Sequence, residues 1–205
     1  MRTRTKICGI TRLSDALAAA SAGTDAIGFV FYKKSPRYIA PEAARAIIEA
    51  LPVFVTTVGL FVDESTSYVQ SVLAEAPVDV LQFHGKEPEA ACIKYNKPYM
   101  KAIPMAPDID LVGAISQYPK SAAILLDTYD VTLPGGTGRV FNWSDVPQDC
   151  QKPIVLAGGL NPGNIKEAIQ LTSPWAVDVS GGVEADKGIK NPELIEAFIK
   201  GVNCA

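Results

Sequence analysis

Apolar positions along the chain fall into two alternating rhythms. Short, dense runs of β-branched, aliphatic and aromatic residues occupy 5–8, 26–31, 53–62, 78–83, 99–103, 122–127, 153–157 and 176–179, with little polar alternation inside most of them. Such runs predict strands covered on both faces, as in a parallel sheet. Between them lie stretches with helical spacing at 14–22, 41–51, 65–76, 87–95, 109–118, 162–172 and 192–202. Their ends carry start and stop residues: Ser14 as N-cap followed by Asp15, Gly23 as a stop, Pro41 in a first turn followed by Glu42, and Pro52 as a closure. The sixth interval differs. After Asp127 comes a Gly-rich loop and then only a short segment around 142–146.

Eight strands with seven clear helices and one stunted helix predict an α/β fold, the (β/α)8 or TIM barrel, as a single domain over 1–205 with a shortened sixth helix. Eight units in 205 residues leave about 26 residues each, near the minimum for that fold. A doubly wound open sheet is the rival, because local βα alternation does not distinguish a closed sheet from an open one.

Composition narrows the function classes. Nineteen basic against 22 acidic residues give a net charge of −3, and Lys and Arg are not clustered, which argues against a nucleic-acid partner. No run approaches the roughly 18 apolar residues of a membrane span, and the charged start, Arg2, Arg4 and Lys6, lacks the apolar core of an export signal. The four cysteines, at 8, 92, 150 and 204, have neither CxxC spacing nor a histidine beside them, and so predict reduced cytoplasmic thiols and no metal site.

In a barrel of this kind the working groups sit at the C-terminal ends of strands and in the loops beyond. Strands seven and eight end in paired glycine-rich turns, Gly158-Gly159 and Ser180-Gly181-Gly182. Turns there let backbone amides approach a phosphate closely, although tight barrel corners would need the same residues. Cys8, at the end of strand one, is either a buried small hydrophobe or a base whose thiol is lowered by nearby cations. Asp127 ends strand six as a proton donor or as a carboxylate tied to the loop 133–138. Arg37 is placed to grip a carboxylate or to sit solvated. His84, the one histidine, is a second base, a substrate contact or a structural group, and Asp178 takes a substrate N–H or caps a loop. Cys92, Cys150 and Cys204 are expected to be structural.

With these residues laid out, the chain resembles the phosphoribosylanthranilate isomerase family of tryptophan biosynthesis. The resemblance rests on Lys6-Ile-Cys-Gly-Ile-Thr11, Gly28-Phe-Val-Phe31 with Ser35-Pro-Arg-Tyr38, Val58-Gly-Leu-Phe-Val62 and Leu81-Gln-Phe-His-Gly85. It continues through Asp127 with Gly135-Gly-Thr-Gly138, Leu156-Ala-Gly-Gly-Leu160 and Val177-Asp-Val-Ser-Gly-Gly-Val-Glu184, in the family's order. It implies an Amadori rearrangement of N-(5-phosphoribosyl)anthranilate without metal or organic cofactor, by a monomer or homodimer whose partner is a small phosphorylated substrate. By the same resemblance, Asp127 is the general acid that opens the ribose ring and Cys8 the base that takes the C2 proton. Arg37 meets the anthranilate carboxylate, Asp178 lies near its amine, and Gly158, Gly159, Ser180 and Gly181 hold the phosphate. Three positions depart from the family pattern: Phe83 for Leu, Gly181 for Ser and Asn191 for an acidic residue.

Other phosphate-binding barrels fit less well. Indole-glycerol-phosphate synthase is expected to have a preceding segment and catalytic lysines, ribulose-phosphate epimerase a cluster of metal-binding histidines, and the histidine-pathway isomerase an acidic residue where Cys8 stands. A barrel without activity, serving as an assembly module, would not need Cys8, Asp127 and Arg37 together.

Overall fold

The computed structural model describes residues 2–129, 141–147 and 149–205. Its elements alternate as the hydrophobic rhythm predicts: β1 (Arg4–Cys8), α1 (Leu13–Ala22), β2 (Ala26–Val30), α2 (Pro41–Ala50), β3 (Thr56–Phe61), α3 (Thr66–Glu75), β4 (Val80–Phe83) and α4 (Glu89–Cys92). They continue with β5 (Tyr99–Met105), α5 (Leu111–Ser116), β6 (Ala123–Thr128), β7 (Ile154–Leu156), α6 (Ile165–Thr172) and β8 (Ala176–Val179). A short hairpin, β9 (Glu184–Asp186) and β10 (Ile189–Lys190), precedes α7 (Pro192–Asn203). The first eight strands form a closed barrel with every neighbour parallel, and β1 closes it against β8 with Lys6 opposite Asp178. The open-sheet rival is thereby excluded.

Strand alternation sorts the apolar side chains into two cores. One set, including Ile7, Phe29, Phe61, Leu81, Ile124 and Val177, packs beneath the helices. The other set fills the barrel, with Ala102, Ala123, Leu125, Val155 and Ala176 in one cluster and Cys8, Val30 and Leu60 in another nearer the C-terminal mouth. Each fully buried Ile, Leu or Phe contributes roughly 1.5–3 kcal/mol relative to exposure. Phe83, a departure from the family pattern, packs within 6.3 Å (ring centroids) of Phe61, Tyr95 and Tyr99, and Asn191 accepts from the backbone N–H groups of Glu193 and Leu194 as the N-cap of α7.

Several local expectations differ from the structure. The N-cap of α1 is Arg12, not Ser14; Asp15 instead turns inward, accepting from the Arg12 guanidinium and from the Lys190 backbone N–H. Residues 53–55 are a turn rather than strand, with Phe54 at φ 73° and 98% exposed, because β3 starts only where Thr56 can pair with Ala26. The helix read over 87–95 shrinks to α4 and a 3-10 turn, Ile93–Tyr95, so the fourth interval is short as well as the sixth. In the sixth, the described residues hold only the 3-10 turn Trp143–Asp145. The Gly-rich stretch 133–138, proposed as a partner of Asp127, lies outside the described residues. Among the described residues no helix is long and apolar enough to cross a membrane.

Candidate active site

All nine residues singled out in the sequence line one cavity of about 440 Å³ at the C-terminal mouth of the barrel: Cys8, Arg37, His84, Asp127, Gly158, Gly159, Asp178, Ser180 and Gly181. Its wall is built on two opposite sides by different chemistry.

On the side of β1 and β8, charges are sealed in. Lys6 and Cys8 are two apart on β1 and therefore face the same way, into the barrel. Nζ of Lys6, almost fully buried, donates to Oδ1 of Asp178 at 2.9 Å across the strand pair that closes the barrel. Gly28 on β2 makes room for this arrangement: a Cβ there would lie 2.9 Å from the Cys8 sulfur and 3.1 Å from Nζ of Lys6. Burial pushes the Cys8 thiol up, and the Lys6 charge and hydrogen bond pull it only part of the way back. The expectation of a lowered thiol is corrected on this point: the cations are present, but enclosure among apolar Val30 and Leu60 outweighs them. For Lys6 the balance is reversed, since burial pulls its ammonium down but Asp178 and Cys8 hold it above the usual lysine range.

Arg37 belongs to the same charged side. Its Nε and Nη2 donate to both oxygens of Glu184 at 2.8 Å, and Nζ of Lys190 donates to Oε1 of Glu184 at 2.7 Å. Burial alone would raise the Glu184 carboxyl, but Arg37 and Lys190 more than offset it and hold Glu184 below the usual carboxylate range. Burial draws the Lys190 ammonium down in spite of Glu184. Arg37 is thus neither solvated nor wholly available for a ligand: the fork that was expected to grip a carboxylate is already clamped, leaving Nη1 as the edge for a second partner.

On the side of β4 and β6 the groups are linked by hydrogen bonds to an imidazole. Oδ2 of Asp127 is 3.0 Å from Nε2 of His84, Nδ1 of His84 is 2.9 Å from Nε2 of Gln82, and Oδ1 of Asp127 accepts from the Thr128 backbone N–H at 2.8 Å. The loop carrying His84 is held from outside the barrel, where Lys101 on β5 donates to the Phe83 carbonyl at 3.2 Å and to Glu87 at 3.0 Å.

Glycine turns line the remaining rim. Gly158 has φ 82°, and a Cβ there would lie 2.2 Å from the Thr128 hydroxyl, so conformation and space both demand glycine. Ser180 leads into the 3-10 turn Gly181–Val183, and its carbonyl accepts from Lys190 at 3.1 Å. The helix after β7 begins at Ile165 rather than at Pro162, which leaves the cradle to loop backbone. Of the other cysteines, Cys92 is buried with its thiol pushed up to about 12 by desolvation, Cys150 is half-buried and Cys204 is exposed.

Lys6, Gln82, Glu184 and Lys190, which hold the selected groups in place, went unselected in the sequence. Lys6 stands two residues before Cys8 on β1 and Gln82 two before His84, just past the end of β4, so strand periodicity held a signal for both. Glu184 closes the last family motif, but its pairing with Arg37, like the place of Lys190, had no signal, since only the folded hairpin brings them together.

The chain matches the family model for N-(5'-phosphoribosyl)anthranilate (PRA) isomerase over residues 5–201. It is 53% identical over 204 residues to the N-(5'-phosphoribosyl)anthranilate isomerase of Marinomonas sp. (strain MWYL1), covering 100% of both chains. A crystal structure of phosphoribosyl anthranilate isomerase from Thermotoga maritima superposes with a TM-score of 0.91 at 42% identity, over 99% of this chain and 100% of that one. A second, of a phosphoribosyl anthranilate isomerase in complex with reduced 1-(o-carboxyphenylamino)-1-deoxyribulose 5-phosphate, gives 0.87 at 42% identity with the same coverage.

Proposed function

The chain belongs to the N-(5'-phosphoribosyl)anthranilate isomerase family, and on that premise we propose how its own residues carry out the family's reaction. The protein is an isomerase of tryptophan biosynthesis that converts N-(5'-phosphoribosyl)anthranilate to 1-(2-carboxyphenylamino)-1-deoxyribulose 5-phosphate. Asp127 protonates the ribose ring oxygen. The bond from that oxygen to C1 breaks, and the nitrogen lone pair closes a C=N bond, leaving an open-chain Schiff base. Cys8 takes the proton from C2, and the electrons of that C–H bond form a C1=C2 enol while the nitrogen recovers its pair. Moving the hydroxyl proton of C2 to C1 yields the ketone.

The observation that carries these roles is that Cys8 and Asp127 open into one cavity from β1 and β6, with the glycine turns of β7 and β8 on the rim between them. Gly158, Gly159, Ser180 and Gly181 bind the phosphate through backbone and hydroxyl groups. A glycine at 181 removes one hydroxyl from that cradle and keeps its backbone amide. Anchoring both ends of the substrate leaves the ribose carbons between acid and base. Arg37, steadied by Glu184, offers its remaining edge to the anthranilate carboxylate, and Asp178 takes the anthranilate amine while paired to Lys6. His84 sits behind Asp127.

Every group named comes from one chain, so activity does not require a second copy, and we place the protein in the cytoplasm as a monomer or homodimer of one barrel domain over 1–205. The test is the loss of anthranilate-adduct fluorescence on adding the purified protein, with Asp127→Asn and Cys8→Ala as controls. Near-normal turnover in both variants would overturn the assignment of acid and base.

A further inference from the structure

Gln82 is completely buried on β4, and strand alternation points it with His84 into the barrel. Its amide nitrogen faces Nδ1 of His84 at 2.9 Å, while its amide oxygen has no hydrogen-bond partner among the described residues. A side-chain amide carries a donor and an acceptor at opposite corners, and rotation about its last torsion exchanges them. An imidazole shows the same duality, since the nitrogen that lacks a proton is an acceptor. The two groups are therefore coupled. With the amide N–H on Nδ1, that nitrogen is bare, the ring proton sits on Nε2, and Asp127 receives a donor at 3.0 Å. With the amide oxygen on Nδ1, that nitrogen carries the proton, and one further proton fits between Nε2 and Oδ2 of Asp127.

The first arrangement holds one proton on the His84–Asp127 pair and the second holds two. We infer that Gln82 is a positioning residue for the acid step: its amide sets the tautomer of His84, and its flip accompanies loading and discharge of the proton that Asp127 delivers. The unpartnered oxygen supports the flip. A second partner for it would lock one orientation, whereas here one amide corner is left unpaired in either orientation. This rests on Asp127 being the acid, as proposed above.

His84 is the one histidine in the chain, so the imidazole nitrogen-15 spectrum reads this group alone. Gln82→Met keeps the length and removes both amide corners; Gln82→Glu keeps the shape and can only accept from a ring N–H. The expected result is a tautomer shift in both variants, toward Nδ1–H in Gln82→Glu. With it, kcat falls by about ten- to a hundredfold while KM changes little, and the limb of the pH profile governed by the acid is displaced. An unchanged tautomer and unchanged kcat in the folded variants, with Asp127→Asn inactive, overturns the inference and spares the reading of Asp127. Turnover retained by Asp127→Asn overturns both. Should Gln82→Met fail to fold, Gln82→Glu carries the test alone, and a wild-type tautomer in it is the adverse outcome.

Discussion

The two sides of the barrel mouth surround Cys8 and Asp127 with different chemistry. Around Cys8 stand full charges: Lys6 paired to Asp178 at 2.9 Å, with Arg37, Glu184 and Lys190 stacked behind them. Around Asp127 stand an imidazole, an amide and a backbone N–H, none of which must carry a charge. The proposed roles account for the contrast. A thiol becomes a base only as an anion, and an anion formed in an apolar recess needs a fixed cation beside it. An acid must hold its proton and then release it, which favours neighbours able to exchange donor and acceptor roles. Two environments inside one cavity thus suit the two roles proposed above, a base at Cys8 and an acid at Asp127.

The strongest way to break this comparison is to remove its two ends. Asp127→Asn and Cys8→Ala should each lower kcat by at least about 10²-fold, the usual scale of general acid–base groups. If their pH profiles lost the same limb, the two sides would not have separate roles. Next in size is the loss of the cation under the base. Lys6→Met leaves Asp178 buried without its partner, a change that costs about 3–5 kcal/mol when a buried pair is broken. It also moves alkylation of Cys8, followed on its own peptide by mass spectrometry, to higher pH. Alkylation at the wild-type pH dependence would show that Lys6 does not act on the thiol.

Smaller effects are expected one layer out. Arg37→Ala should raise KM several-fold and change kcat little, because in the proposed role the guanidinium orients substrate and touches no reacting atom; an unchanged KM removes it from the site. The smallest effect is on stability in acid. Glu184 is held below the usual carboxylate value of about 4.3. A depressed folded value contributes stability that is full above the unfolded value and is lost as pH falls through the folded one. The gap in melting temperature between wild type and Glu184→Gln should therefore be constant near neutrality and narrow below about pH 4. A gap that widens toward acid contradicts the sign of the shift.

Much of this was legible in the residues. Dense apolar runs marked all eight barrel strands, because a strand covered on both faces has no solvent side on which to place polar groups. Strand ends marked Cys8, Asp127 and Asp178, because an open βα corner is where a polar side chain can stand at the mouth. The misreadings have equally local causes. Val53 and Phe54 look like strand by composition and are exposed in a turn, since β3 pairs with β2 only from Thr56. Ser14 looks like an N-cap, but the inward pull on Asp15 from Arg12 and Lys190 starts the helix earlier.

The sequence by itself determined the order of strands and helices, the faces on which Lys6, Cys8, Gln82 and His84 lie, and the family. These follow from periods of two and 3.6 residues and from contiguous motifs, which are properties of neighbours in the chain. Only the tertiary structure decided the partners. Lys6 meets Asp178 because β1 closes on β8, and the two stand 172 residues apart. Arg37 meets Glu184 across 147 residues because a hairpin folds back beneath the β2–α2 loop. The state of Cys8 was decided there too, since the cost of burying a charge depends on everything packed around it and not on the residues beside it in the chain.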